Sequence, residues 1–297
     1  MAASLRPRRS ALYVPGDNAR AIEKARTLAA DTLIFDLEDA VPPANKETAR
    51  ANVLAALAKG GYGRREIVVR VNGLATHWGK ADLAALAKLR LDAIALPKVE
   101  SAADVREAQS ALDAAGAPAT LALWAMIETP RGVLRAEEIA GSSARLACLV
   151  AGTTDLAKDL HAGDSPGRQA LLPSLGMILL AARAYGLACL DGVRLDLSDD
   201  DAFDLECEQG AMLGFDGKTL IHPKTIDGAN RAFGPTEEEL AEARRILAAH
   251  EDALAGGKGV TLLDGKLVEQ PHLSAAQRVI AMAEQIAVFV EDAGLAP

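Results

Sequence analysis

Aromatic side chains are scarce: two Trp, three Tyr and five Phe in 297 residues. A protein that stacks single-stranded nucleic acid on aromatic faces needs more of them. Basic excess is missing too, since 32 Lys and Arg face 41 Asp and Glu for a net charge of −9. That balance excludes a footprint for a phosphate backbone, though not an anionic small molecule, whose binding depends on local charge. Cys148, Cys189 and Cys207 are widely spaced and form no CxxC pair. They offer no disulfide framework, and their apolar or helical contexts predict buried thiols in a reducing compartment. No uninterrupted apolar run reaches the roughly eighteen residues that would span a bilayer. The basic start, residues 1–9, leads into an apolar stretch too short for a signal-peptide core. GxGxxG, Walker and zinc signatures are absent, as are solenoid repeats and low-complexity segments. A cytoplasmic enzyme with neither nucleic acid nor membrane as partner is the expectation.

Half of the residues are hydrophobic and a quarter charged, an ordinary globular composition. The length suits two domains or one barrel of about 200–250 residues with an addition. Eight short apolar runs recur, at 11–14, 32–37, 66–71, 93–96, 121–127, 146–150, 187–190 and 219–221. They are apolar on successive residues rather than on alternate ones, the pattern of parallel strands buried on both faces. Alanine-rich helical stretches separate them. Asp17 or Asn18 can cap a helix through Leu28, Asn45 one through Leu57, and Ser101 one over 102–115. A long helix over 168–185 would end at Gly186. Such alternation predicts a (β/α)8 TIM barrel over 1–235, with a doubly wound open sheet as the competitor. Beyond Gly234-Pro235, a helix from Thr236 to Leu254 would close at 256–259. A hairpin over 260–268 turning at Asp264-Gly265 and a helix over 274–292 would follow. This extension, 236–297, is read as a lid or an oligomer contact.

Polar residues cluster just after the runs: Pro15-Gly16-Asp17, Glu38-Asp39, Asn72, Pro97-Lys98, Glu128-Thr129, Asp155, Asp191 and His222. A parallel barrel brings all strand C-termini to one face, where active sites sit. Turns and helix caps also use such residues, and that explanation is adopted for Asp17, Asp164 and Asp191. It serves Arg70, Lys98 and Glu128 poorly. Glu128 and Asp155 follow neighbouring runs, and adjacent strands lie about 4.8 Å apart. Their carboxylates could share one divalent cation, and an all-oxygen pair favours Mg2+, or Mn2+, over Zn2+. Alternatively, one caps a helix while the other makes a surface ion pair. Arg70 lies inside an apolar run and must pair there, with a protein carboxylate or a substrate one. Glu38 and Asp39 are candidates for that partner, or for supporting a metal without touching it. His161 and His222 are read as hydrogen-bonding groups, and the acidic run 196–204 as a solvated helix cap. Residues 163–167 read as a turn, and Lys24, Lys46 and Lys98 as lone lysines able to meet phosphates.

Taken together, seven stretches in order resemble the citrate lyase β-subunit-like group of CoA-ester lyases, within the HpcH/HpaI aldolase superfamily. They are Ser10-Ala11-Leu12-Tyr13-Val14-Pro15-Gly16, Phe35-Asp36-Leu37-Glu38-Asp39-Ala40-Val41, Val69-Arg70-Val71-Asn72, Leu96-Pro97-Lys98, Met126-Ile127-Glu128-Thr129-Pro130, Gly152-Thr153-Thr154-Asp155-Leu156 and Gly214-Phe215-Asp216-Gly217-Lys218-Thr219-Leu220-Ile221-His222-Pro223. The resemblance implies a TIM barrel, a homotrimer or hexamer, with Mg2+ held by Glu128 and Asp155. It implies that Arg70 and Glu128 bind a keto acid and that a CoA thioester crosses the mouth near Glu38, Asp39 and Lys98. It further implies a tail carboxylate acting in a neighbouring subunit. Glu269 stands at that position, where many members carry Asp, and Asp264 is the alternative. Gly152-Thr153-Thr154-Asp155 departs from the Gly-Ala-Glu-Asp of many members. The implied reaction cleaves malyl-CoA or citramalyl-CoA reversibly to acetyl-CoA plus glyoxylate or pyruvate. Alternatives are a CoA-independent pyruvate aldolase, a citrate lyase β-subunit acting on an acyl-carrier-protein thioester, and a non-catalytic barrel scaffold.

Overall fold

The computed structural model describes residues 6–163, 165–256 and 261–292. Two compact units divide them, one running from Arg8 to Phe233 and the other containing the residues from Gly234 onward. In the first, the strands are β1 (Ser10–Pro15), β2 (Thr32–Asp36), β3 (Glu66–Arg70), β4 (Ala93–Leu96), β5 (Ala122–Ile127), β6 (Leu146–Ala151), β7 (Ala188–Asp191) and β8 (Gly217–Leu220). They pair in parallel in sequence order, and β8 returns to β1. Closure settles the TIM barrel against the open sheet. The last strand starts ahead of its apolar run, since Gly217 and Lys218 already pair with Leu190 and Asp191 of β7; Gly217 also passes so close to the Arg8 carbonyl that a side chain would collide with it.

Both strand faces are buried, for different reasons. Ala11, Ile34, Val68, Trp124, Met126 and Val150 fill the barrel interior, while Leu12, Leu33, Val69, Ile94 and Leu149 pack outward against the helices. Cys148, Cys189 and Cys207 are buried free thiols.

The caps need three corrections. Asn18 accepts the Ala21 N–H and starts helix Ala19–Lys24, whereas Asp17 accepts from the Asn45 amide at 2.9 Å. Asn45 is thereby engaged and makes no side-chain cap for helix Lys46–Lys59. Asp191 is not a cap either: it is wholly buried and binds Arg168 and Lys218. Asp164 lies outside the described residues. Ser101 forms a capping box with Asp104 on helix Ala102–Ala114, and Asp199 caps Asp200–Leu213 within the acidic run. The helix expected from residue 168 begins at Leu172. Gly167 and Arg168 have φ of 68° and 53°, a left-handed backbone that cannot continue an α-helix.

In the second unit, a Thr236/Glu239 capping box opens helix Glu237–Ala255. Strands Thr261–Leu263 and Lys266–Val268 pair antiparallel around Asp264 and Gly265. Both turn residues have positive φ, as a two-residue hairpin requires. The expected helix stop at 257–259 and Val260 lie outside the described residues. The final helix, Gln270–Asp292, starts ahead of Ser274 because Pro271 is tolerated in a first turn, where its missing N–H is not needed. Gln270–Glu291 is long enough to cross a membrane and contains an 18-residue stretch of mean hydropathy 1.3. Arg278 and Glu284 interrupt the run.

Candidate active site

A cavity of about 290 Å³ opens at the C-terminal ends of the strands, lined among others by Tyr13, Asp36, Arg70, Met126, Glu128 and Asp155. Arg70 ends β3 and is only 7% exposed. Parallel pairing sets it beside Asp36, the last residue of β2. Its Nε donates to Asp36 Oδ1 at 2.7 Å and its Nη2 to Oδ2 at 2.6 Å. The planar fork expected to grip a substrate carboxylate is therefore closed on the protein's own carboxylate. Glu38 and Asp39, named as partners from the sequence, are secondary, at 3.1 and 3.8 Å from Nη1. Asp36 escaped notice because it sits at the end of an apolar run; strand register was the signal that could have found it. The Tyr13 ring stacks 4.6 Å from the guanidinium carbon and completes the floor. Burial pushes the Tyr13 hydroxyl above its usual range, so it stays protonated.

Glu128 follows β5 and is 3% exposed. Its Oε1 accepts the main-chain N–H of Lys98 at 2.6 Å. Burial pushes its carboxyl up to about 7, outweighing the downward pull of that hydrogen bond and of the Lys98 charge. The space for this side chain is made by Gly152, where any Cβ would fall inside the Glu128 side chain. Asp155 lies in the first turn of helix Thr153–Asp159, on the loop side of β6. The Lys98 ammonium bridges the mouth, 2.9 Å from Glu38 Oε1 and 3.0 Å from Asp155 Oδ2. Burial works against that charge, yet Glu38, Glu128 and Asp155 hold the Lys98 ammonium above its usual range. Burial likewise raises the Glu38 carboxyl, against the pull of Arg70 and Lys98.

The mouth thus brings together Arg70, Glu128, Asp155, Glu38, Asp39 and Lys98. His222 is set apart as a cap, its Nδ1 accepting the Lys224 N–H, and His161 is an exposed turn residue with φ of 53°. Glu269 and Asp264 belong to the second unit. There Asp264 is ion-paired with Arg245, while the exposed Glu269 makes no side-chain hydrogen bond among the described residues.

The donor set suits a hard divalent cation. Glu128 and Asp155 offer oxygens only, and the Lys98 ammonium shows that positive charge is accommodated between Glu38 and Asp155. Among the described residues no three or more His, Cys, Asp or Glu side chains form a ready-made metal cage. Two carboxylates with remaining positions left to water and substrate oxygens is the way Mg2+ is usually held.

A closed parallel barrel with an acidic mouth around one buried arginine defines a TIM-barrel enzyme whose chemistry depends on charge placement. The chain matches the HpcH/HpaI aldolase/citrate lyase family over residues 9–223, and it belongs to that family. It is 49% identical over 289 residues to a (3S)-malyl-CoA thioesterase of Cereibacter sphaeroides, covering 97% of this chain and 99% of that one. It is 41% identical over 283 residues to the citrate lyase subunit beta of Leuconostoc mesenteroides subsp. cremoris, covering 94% of each. Among solved structures it resembles the protein CitE from Mycobacterium tuberculosis in complex with magnesium, acetoacetate and coenzyme A. That likeness has a TM-score of 0.75 and 33% identity, covering 96% of this chain and 100% of the other. The barrel and the citrate lyase β-like resemblance read from the sequence are both borne out, and the chain is an enzyme of this group.

Proposed function

We propose that this enzyme is a Mg2+-dependent carbon–carbon lyase acting on a short hydroxy-carboxyacyl-CoA of the malyl-CoA or citramalyl-CoA type. The observation that carries the reading is that Arg70, Glu128 and Asp155 line one cavity. A relative named for malyl-CoA and a solved neighbour holding magnesium, a keto acid and coenzyme A support it.

Glu128 and Asp155 would hold the metal, which when bound polarises a substrate oxygen as a Lewis acid. Arg70 is held rigid by Asp36 and Tyr13, so its guanidinium would present fixed positive charge to the hydroxyl oxygen that becomes a carbonyl, with Nη1 also facing Glu38. A carboxylate at the mouth takes the hydroxyl proton, the carbon–carbon pair passes to the thioester enolate, and the α-carbon then gains a proton. Malyl-CoA gives acetyl-CoA and glyoxylate; citramalyl-CoA gives acetyl-CoA and pyruvate. Glu269 of a neighbouring subunit is assigned the return of that proton, since Arg245 already engages Asp264. A homotrimer or hexamer would supply it. Glu38, Asp39 and Lys98 shape the rim where the CoA thioester would lie.

Thioester hydrolysis is the second reading, favoured by the name of the 49%-identical relative. There water adds to the thioester carbonyl, releasing malate and free CoA. Incubation with malyl-CoA and Mg2+ separates the two: acetyl-CoA and glyoxylate mark the lyase, malate and a free thiol mark the thioesterase. EDTA, Glu128→Ala or Asp155→Ala should each abolish turnover with the fold intact. Full turnover in any of these would remove the metal assignment. Turnover without a CoA thioester would indicate a pyruvate aldolase instead.

A further inference from the structure

Lys46, the first residue of helix Lys46–Lys59, is 7% exposed. Among the described residues it makes no ion pair with a carboxylate. Its Nζ donates to the main-chain carbonyls of Leu37 at 2.8 Å and Glu38 at 2.7 Å, and it lies 5.7 Å from the centre of the Trp78 ring. A buried ammonium spent on carbonyls is unusual, because desolvating the charge is costly unless the geometry returns it.

The carbonyls it takes belong to the turn at the cavity edge. Asp36 holds the same turn from the other side, accepting the Glu38 N–H at 2.9 Å and the Ala40 N–H at 3.0 Å. Residue 38 therefore has its N–H tied to Asp36 and its C=O tied to Lys46. Both flanking peptide planes are held, which sets the direction of the side chain. Glu38 uses that direction to reach Lys98 through Oε1 and Arg70 through Oε2, at 2.9 and 3.1 Å.

We propose that Lys46 is a positioning residue of the active site: with Asp36 it clamps the turn of residues 37–40, and through Glu38 it sets the place of the Lys98 ammonium and the charge facing Nη1 of Arg70. The effect on turnover rests on the function proposed above; the effect on the turn does not.

Hydrogen–deuterium exchange of the full chain, without substrate, tests the clamp. Lys46→Met keeps the buried stem and removes the donors; Lys46→Arg can still donate to two carbonyls. In Lys46→Met, exchange within residues 37–41 should rise about tenfold, the loss of roughly one hydrogen bond's worth of protection. Peptides from β5 should be unchanged, and Lys46→Arg should restore most of the protection. With whichever thioester the wild type turns over, kcat should fall by about 10- to 100-fold, with KM little changed. Unchanged exchange in the turn, a rise spread over the whole barrel, or an unchanged kcat would each overturn the proposal. A wild type inert to CoA thioesters would defeat the proposed function and leave the exchange result to decide the clamp.

Discussion

The main-chain N–H of Lys98 donates to Oε1 of Glu128 at 2.6 Å, and Lys98 takes a left-handed φ of 48° in doing so. One residue thus orients a buried carboxylate with its backbone and bridges two others with its side chain. A left-handed conformation disfavours any residue with a Cβ by about 1–2 kcal/mol. Lys98→Gly and Lys98→Ala both remove the ammonium, but only Gly relieves the backbone. The Gly variant should be more stable than the Ala variant by about 1 kcal/mol in urea unfolding. Equal midpoints would show that the backbone there is unstrained.

Gly152→Ala should damage the site while removing no functional group. The new methyl would intrude on Glu128, and overpacking of this kind costs about 1–3 kcal/mol. We expect a lower unfolding midpoint together with weaker Mg2+ binding by calorimetry. Wild-type values in both would mean that the β6 loop yields without moving the carboxylate.

Arg70→Lys keeps the charge and loses the fork. The two parallel bonds to Asp36 cannot both be made by an ammonium, and a misplacement of this kind lowers turnover by about 10²-fold. A steady-state measurement showing near wild-type kcat would make the guanidinium dispensable.

Metal binding should depend on pH through Glu128. Its carboxyl is pushed by burial from 4.5 up to about 7, and a ligand must be deprotonated to bind. Affinity for Mg2+ should therefore rise with pH up to about 7 and then level off, with proton release detectable by calorimetry in buffers of different ionisation heat. The metal-free fold should behave in the opposite sense. Between 4.5 and about 7 the folded state holds a proton that the unfolded chain has lost, so this group's contribution to stability falls as pH rises through that window. Mg2+ affinity flat from pH 5 to 8 would contradict the raised carboxyl.

Much of the site was legible along the chain because barrel topology turns strand ends into neighbours. Arg70, Lys98, Glu128 and Asp155 could be picked as polar residues at the ends of apolar runs, and the structure brings them to one mouth. Asp36 was not legible in that way. As the last residue of β2 it reads as part of a hydrophobic run, and its role follows from lying level with Arg70 across the strand pair. Asp191 was misread for a related reason: a carboxylate after a strand looks like a helix cap until Arg168 and Lys218 are seen to converge on it.

The order of apolar runs and helical stretches determined by itself that eight strands would form and that both their faces would be buried, because period and burial are local properties of the chain. Which carboxylate holds Arg70, which glycine makes room for Glu128, and why a lysine lies buried beneath the turn after β2 were decided only in the tertiary structure. Those choices depend on register and on distances between side chains far apart in sequence, which no local pattern encodes.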